Sequence, residues 1–387
     1  MCGENEYLLR QVLRNEWDFD GFTICDFVWG VKDTVASASS GLDIEMPITH
    51  FYGEKLLEAV REGEVTEQTI DESALRIIRT LLAHEHFIEE HKKEGSCDYR
   101  KHQELALQCA REGITLLKNE DQLLPIDCKK RKKIVVLGSY ADRENIGDRG
   151  SSQVYAPYVV TILQGITEYP SDAEVIYYSG ESASHCRRLA KEAVVVLVGG
   201  SMILMDEWED QVGAILMAYY PGMEGGKAVA DVLFGKTNPG GKLPFVIPKK
   251  EEDLPEIDWD AEEFRYDYYH GYTLLNKSHV KPLYPFGYGL SYTTFTLAGM
   301  KAWRDEENLY ASVIAKNTGK REGCEVVQMY VGAADSKVER PEYVLKDFQK
   351  IRLDAGEEKE VKLVCPIREM AYFDEGRNEF VAEFSIP

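Results

Sequence analysis

Asp26 is the residue whose type and position most clearly suggest chemistry in this chain. Residues 21–25 (GFTIC) form an apolar run that predicts a strand, and Asp26 follows at its C-terminal end. Carboxylates at this position are commonly active-site residues in parallel α/β folds, because loops converge there on a rigid backbone. A strand-end aspartate can also cap the following turn by hydrogen-bonding the backbone. The local pattern leaves both roles open.

The segments around Asp26 alternate between helix and strand patterns. The elements that we predict are a helix at residues 4–14, a short strand at 41–47 that ends at a proline, and helices at 52–61 and 69–84. Residues 86–100 are highly charged and indicate a linker. We therefore predict a first domain at residues 1–95.

The middle of the chain has the βαβ pattern of an α/β domain with a mainly parallel sheet. Apolar, β-branched runs predict strands at residues 132–138, 174–178, 193–198 and 214–218. From residue 295 onwards, alternating polarity with frequent turn signals suggests a small antiparallel β-sandwich. We place the second domain at residues 96–275 and the third at 276–387.

Composition restricts the class of protein and its partners. There are 67 Asp and Glu against 45 Lys and Arg, and the net charge of −22 disfavours nucleic acid and anionic membranes as partners. No apolar run approaches the roughly 18 residues of a membrane span, and the first residues lack a signal-peptide pattern. Eight scattered cysteines without a C-x-x-C pair favour reduced thiols in a cytoplasmic protein and no metal site. The glycines near residue 222 lack the G-x-G-x-x-G spacing, so we expect no cofactor.

Motifs along nearly the whole chain resemble one family in their order. The motifs, in the order in which they occur, are DFDGFTICDF, GLDIEMP, AREGITLLKNEDQLLPI, GDRGSSQVYAPYVVT, AYYPGMEGGKAVADVLFGKTNPGGKLPFVIP and YPFGYGLSYTTF. They are similar to glycoside hydrolase family 3, the β-glucosidase family. NTGKREGCEVVQMYV with LKDFQKIRLDAGE resembles its fibronectin type III-like domain. The resemblance implies an α/β multi-domain fold: the remnant of a (β/α)8 barrel, an α/β sandwich, and a fibronectin type III-like β-sandwich.

The resemblance implies that Asp26 is the nucleophile of a retaining glycosidase. Such a carboxylate stabilises an oxocarbenium-like transition state and forms the glycosyl-enzyme ester. The substrate-binding candidates are Phe27 and Trp29, which could offer an apolar face to a pyranose, and Asp148, Arg149, Ser151 and Ser152. The last four lie in GDRGSS, which the family suggests is a loop facing the active site. That segment could also be only a tight turn in which glycine supplies a positive φ.

Two departures from the family pattern concern catalysis. A (β/α)8 barrel takes about 250 residues, and only about 90 precede the sandwich here. The acid/base glutamate of the family lies between two strands of the sandwich, and here residues 191–198 run directly into 199–208, as if the two strands were fused. We therefore expect an N-terminally truncated, internally deleted homologue whose acid/base is unknown. The acidic residues at 206–210 we interpret as charge at the start of an amphipathic helix.

Several hypotheses about function remain open. The chain could be a β-glucosidase-like hydrolase that borrows the missing barrel portion from a complementing chain. It could instead be a non-catalytic carbohydrate-binding or interaction module, or a gene fragment without activity. The expected partner is a carbohydrate, and exposed strand edges and apolar faces would favour a homo-oligomer. Four tyrosines could stack on sugar or pin their loop to the domain: Tyr266, Tyr268, Tyr269 and Tyr272.

Overall fold

The computed structural model describes most of the chain, which divides into two compact units. The described residues are 2–91, 98–147, 150–180, 193–258, 260–261, 265–333 and 336–383. The first unit comprises Met1–Cys97 and the second Asp98–Pro387. The division into three domains at residues 95 and 275 stays a prediction. Over the described residues, no helix is both long and apolar enough to cross a membrane.

The first unit is built mainly from helices. They are a π-type helix at Tyr7–Glu16 and the α-helices α1 (Thr34–Ser40), α2 (Glu54–Arg61) and α3 (Glu67–His91). α1 begins where the carboxylate of Asp33 accepts a hydrogen bond from the backbone amide of Ala36 at 2.7 Å. It ends at Gly41, whose φ of 97° favours glycine. These two caps thus set the ends of α1, which lies in the chain between the two segments that were predicted as strands.

Those two predicted strands, at residues 21–25 and 41–47, pair at a single point. Ile24 and Ile44 form an isolated parallel bridge, in which the amide of Cys25 donates to the carbonyl oxygen of Ile44 at 3.0 Å. The prediction of full strands is wrong because a strand needs a continuous ladder of partners, and these segments form one bridge with only a few further backbone hydrogen bonds around it.

The predicted linker at residues 86–100 is also partly wrong. α3 continues to His91, and the next helix begins at Tyr99. Glu89 and Glu90 are exposed on α3, so their charge is compatible with a helix that faces solvent there.

The second unit begins with α4 (Tyr99–Gly113) and five strands in two small sheets. The strands are β1 (Thr115–Asn119), β2 (Lys133–Leu137), β3 (Glu174–Tyr178), β4 (Val194–Leu197) and β5 (Ala214–Met217). The pairs β2–β3 and β4–β5 are parallel, and β1 pairs with β5 in the antiparallel direction. The mainly parallel α/β domain is therefore confirmed, with an antiparallel edge strand that the sequence pattern did not indicate.

Helices α5 (Ile162–Thr167), α6 (Gly225–Leu233) and α7 (Gly271–Lys277) complete this part of the fold. α5 and α6 approach backbone to backbone. A Cβ atom on Gly226 would lie 1.9 Å from the carbonyl oxygen of Thr161, and one on Gly165 would lie 2.1 Å from that of Gly226. The close contact therefore requires glycine on both helices. All four residues of β5 are buried, which places this strand at the centre of the apolar core.

An antiparallel β-sandwich follows, as predicted. Its strands are β6 (Phe295–Arg304), β7 (Asn308–Asn317), β8 (Gly323–Val331), β9 (Val344–Leu353), β10 (Glu358–Pro366), β11 (Ala371–Asp374) and β12 (Glu379–Ala382). One sheet has the order β10-β7-β6 and another pairs β8 with β9. Alternating residues of both sheets, including Val327, Ile351 and Val361, form the shared core.

Candidate active site around Asp26

Asp26 lies two residues beyond the bridge between Ile24 and Ile44, just before a tight turn at residues 27–29. The amide of Gly30 closes that turn by donating to the carbonyl oxygen of Asp26 at 2.9 Å. Cys25 is buried, whereas the side chain of Asp26 is exposed. Its carboxylate makes no hydrogen bond or ion pair with any described residue, so it forms none of the turn-capping contacts. The backbone is fixed and the carboxylate is free to meet a ligand.

Gly30 holds the backbone of Asp26 by direct contact. A Cβ atom at position 30 would lie 2.5 Å from the Asp26 nitrogen and 2.6 Å from its carbonyl oxygen. Val28, inside the same turn, has a φ of 71°, which is strained for a β-branched residue. Its amide donates to the carbonyl oxygen of Met46 at 3.1 Å and docks the turn on the neighbouring segment. Strain of this kind persists where the surroundings enforce it, which is common at functional sites.

Phe27 and Trp29, the two predicted sugar-facing aromatics, are both on the surface. Phe27 is 47% exposed and Trp29 is 71% exposed. Large aromatic rings are normally buried for most of their area. The structure thus brings both rings to the same exposed turn as Asp26, while their contact with substrate stays a prediction.

A buried ion cluster centred on Asp43 fixes the segment that pairs with residues 23–25. The Asp43 side chain is 0% exposed. Its carboxylate accepts hydrogen bonds from Arg14 Nη2 at 2.9 Å, from Arg76 Nη2 at 2.7 Å and from the backbone amide of Thr23 at 2.8 Å. Burial and the nearby Arg76 charge lower the pKa of Arg14, and Asp43 opposes that shift. A buried charge is stable only with such compensation.

Our sequence reasoning missed this cluster. The available signal was an aspartate inside the apolar segment GLDIEMP, since a buried acid almost always needs a paired base. Its two partners lie 29 and 33 residues away along the chain, so the sequence pattern did not identify them.

Glu45 stands beside the bridge, at the end of the neighbouring segment, but it already has a structural role. Its carboxylate accepts hydrogen bonds from the backbone amides of His50, Phe51 and Tyr52 at 3.0, 3.0 and 2.7 Å. These contacts organise the chain between the bridge and α2. The Glu45 carboxylate is thus engaged with the backbone of this segment.

The GDRGSS segment lies in the second unit. Asp148 and Arg149 fall outside the described residues, and the side chain of Ser151 is likewise not described. Gly150–Ser152 forms a short 3-10 turn with a φ of 82° at Gly150, and Ser152 is exposed. The substrate-binding roles of these residues stay predictions.

The amphipathic helix predicted after residue 206 is wrong. The segment contains only a single 3-10 turn, Glu209–Gln211, before β5. The carboxylate of Glu209 lies 3.6 Å from Lys118 Nζ and accepts a hydrogen bond from the hydroxyl of Tyr284 at 2.7 Å. An ion pair and a hydrogen bond to other parts of the unit, which the local pattern does not show, hold this acid in place.

In the first unit, Asp26 therefore presents an unpaired carboxylate at a structured turn, whereas Asp43 and Glu45 have structural roles. No group of three or more His, Cys, Asp and Glu side chains within the described ranges could hold a metal ion. The role of Asp26 as the nucleophile stays a prediction.

Comparison with known proteins assigns the family. The glycosyl hydrolase family 3 N-terminal domain matches residues 1–80, and the family 3 C-terminal domain matches residues 114–186 and 179–292. The chain belongs to glycoside hydrolase family 3. A fibronectin type III-like domain matches residues 325–384. These matches confirm the family and fold class that the sequence motifs indicated, and Asp26 lies in the part that matches the N-terminal domain.

Relatives within family 3 are longer than this chain. Thermostable beta-glucosidase B of Acetivibrio thermocellus is 33% identical over 96% of this chain and 57% of its own length. Beta-glucosidase BoGH3A of Bacteroides ovatus is 30% identical over 98% of this chain and 63% of its own length. The structure of beta-glucosidase 3B from Thermotoga neapolitana in complex with glucose matches with a TM-score of 0.84 and 28% identity, over 96% of this chain and 64% of that one. The chain thus spans about three fifths of the length of these proteins.

Proposed function

We propose that this family 3 chain takes part in the retaining hydrolysis of terminal β-linked glucosides, with Asp26 as the nucleophile. The observation that carries this proposal is the exposed, unpaired Asp26 carboxylate on an anchored turn within the family 3 N-terminal match. Relatives named as beta-glucosidases support the substrate class.

In the proposed mechanism, an Asp26 oxygen attacks the anomeric carbon and forms a glycosyl-enzyme ester, while an acid protonates the departing glycosidic oxygen. Water then attacks the same carbon, the acid now acts as a base, and Asp26 is released. Phe27 and Trp29 would pack against the pyranose ring, and Asp148, Arg149, Ser151 and Ser152 would bind its hydroxyl groups. The acid must lie roughly 5 Å from the nucleophile.

We assign the acid to neither Glu45 nor Glu209, because both have structural partners. A complementing polypeptide would supply it. The surface of α3 supports such a partner: Leu75, Ile78 and Leu82 are 61%, 54% and 62% exposed and share one helical face. The same face would serve a homo-oligomer.

The test is hydrolysis of a chromogenic aryl β-glucoside by this chain, alone and mixed with the first part of a family 3 barrel. Asp26→Asn should lower the rate of the active assembly by more than about 10³-fold. Asp20→Asn is the matched control, since Asp20 is exposed and six residues away. Azide should rescue Asp26→Gly and give a glycosyl azide of inverted configuration, because it attacks from the space that the missing carboxylate leaves. An active assembly that Asp26→Asn leaves intact would refute the role.

A non-catalytic carbohydrate-binding module is the second candidate. The structural contacts of Glu209 favour it, because they occupy one of the four acidic residues at 206–210. Calorimetric titration with gluco-oligosaccharides distinguishes the two functions. Sugar binding without hydrolysis in every assembly would support the carbohydrate-binding module. The absence of both binding and hydrolysis would indicate a gene fragment without activity.

We also propose a cytoplasmic location. The six described cysteines are all free thiols, which agrees with a reducing compartment. Fractionation of the native cells tests this, and recovery of the chain from a secreted fraction would contradict it.

A further inference from the structure

A cavity of about 620 Å³ lies in the second unit, where α7 faces the β-sandwich. Its size is within the range of sites for small ligands. α7 and the segment after it supply Tyr272, Asn276 and Phe286, whereas β8 supplies Tyr330 and the residue just before β9 is Tyr343. The walls therefore come from α7 with the segment after it and from the β-sandwich.

Aromatic rings form much of the wall. Tyr272 stacks on Phe286 with ring centroids 4.7 Å apart, and Tyr330 stands nearly perpendicular to both. Tyr343 meets the edge of Tyr330 at 5.7 Å and remains 38% exposed. These contacts between rings hold the aromatic group in place. The parts of the rings that are not in contact with one another line the cavity.

The cavity also contains unused hydrogen-bonding capacity. Neither the side-chain amide of Asn276 nor the hydroxyl of Tyr343 makes a hydrogen bond to any described residue. The hydroxyl of Tyr272 accepts from the amide of Leu345 at 3.0 Å, and its own hydrogen has no acceptor in the described part of the chain. Polar groups of this kind favour a ligand rich in hydroxyl groups over a purely apolar one.

Charge limits the ligand further. All of the described lining residues are uncharged, so an ionic ligand would lose hydration without gaining a partner. The net charge of −22 also disfavours anions. An ammonium group is disfavoured because the rings contact one another rather than surrounding a gap, and no carboxylate lines the walls.

We propose that this cavity binds a neutral saccharide of one or two pyranose units, as a site separate from Asp26. The open aromatic faces pack against the C–H face of a pyranose ring, and Asn276 and Tyr343 bond its hydroxyl groups. This inference does not depend on catalysis, since all of its residues lie in the second unit. It also gives Tyr272, one of the four tyrosines of the predicted stacking loop, a defined place in a binding wall.

Calorimetric titration of the full chain with glucose and with cellobiose tests the site. We expect millimolar binding that Tyr343→Ala and Asn276→Ala each weaken at least about fivefold. Tyr268→Ala is the matched control, because Tyr268 is an exposed tyrosine of the same loop that does not line the cavity. Binding at the cavity should therefore respond to Tyr343→Ala and Asn276→Ala and not to Tyr268→Ala. Circular dichroism checks that each variant folds.

Three results would overturn the inference. They are the absence of binding at roughly tens of millimolar sugar, binding that neither cavity substitution weakens, and binding that only Asp26→Asn abolishes. If cellobiose binds and the cavity variants weaken it while no assembly hydrolyses a glucoside, the cavity site holds and the proposed catalytic function fails. If an assembly hydrolyses the glucoside but no sugar binds in the cavity, the proposed catalytic function holds and the cavity site fails.

Discussion

At the scale of single residues, the main finding is how Asp26 is presented. The position of Asp26 is set through its backbone, because Gly30 packs directly on the Asp26 peptide and its amide closes the turn. The exposed carboxylate takes no part in these contacts. The exposed rings of Phe27 and Trp29 lie on the same turn. A nucleophile benefits from such positioning, because small displacements from the productive geometry cost large factors in rate.

Gly30→Ala tests this presentation. The added Cβ would lie 2.5 Å from the Asp26 nitrogen, so the turn must shift, and we expect a loss of about 1–3 kcal/mol in the free energy of unfolding. Hydrolysis by the active assembly should fall as well. Gly113→Ala is the control, because its Cβ meets no atom within 4 Å. Urea unfolding and the aryl glucoside assay measure both effects, and a Gly30→Ala variant as stable and active as the control would contradict the inferred contact.

At the scale of elements, buried ion pairs hold together the two segments of the first unit that meet at the Ile24–Ile44 bridge. In a sheet, a continuous ladder of backbone hydrogen bonds would do this. The bridge between Ile24 and Ile44 is one residue long, and the Asp43 cluster ties it to Arg14 on the π-type helix and Arg76 on α3. Removing one member of a buried ion cluster leaves the others uncompensated.

Asp43→Ala should therefore destabilise the first unit by about 3–5 kcal/mol. Asp20→Ala is its control, since the exposed Asp20–Arg79 pair at 3.5 Å is expected to contribute at most about 1 kcal/mol. Hydrogen-exchange mass spectrometry over residues 23–44 localises the effect. Equal protection in the two variants would mean that the cluster does not stabilise the bridge.

At the scale of the whole molecule, the first unit has apolar surface that needs a partner. The face of α3 formed by Leu75, Ile78 and Leu82 is exposed, and exposed apolar patches of this kind commonly mark interaction sites. The chain also spans about three fifths of the length of its named relatives. The α3 face is therefore the surface on which the proposed assembly can be tested.

Substituting Leu75, Ile78 and Leu82 together by Gln tests this face. We expect less self-association in sedimentation velocity and weaker complementation by a barrel fragment, because the contact surface becomes polar. The free energy of unfolding of the isolated chain should change by less than about 1 kcal/mol, since the three side chains are already exposed. Phe348→Gln, at an exposed position in the second unit, is the control. A triple variant that unfolds without cooperativity would show that the face is part of the core.

The sequence by itself determined the family, the α/β and β-sandwich architecture, and Asp26 as the candidate nucleophile. These follow from ordered motifs and from runs such as residues 174–178, whose β-branched pattern matches β3 along its length. Patterns of this kind are local, so a short window of residues is enough to identify them.

Only the tertiary structure decided which charged residues are structural and where the cavity lies. Asp43 meets Arg14 and Arg76, Glu209 meets Lys118 and Tyr284, and the cavity joins α7 to Tyr330 and Tyr343. These partners are separated by 29 to 91 residues along the chain. Pairings over such distances depend on how the elements pack together, which no local pattern specifies. For the same reason, the sequence predicted full strands at residues 21–25 and 41–47 where the structure has a single bridge.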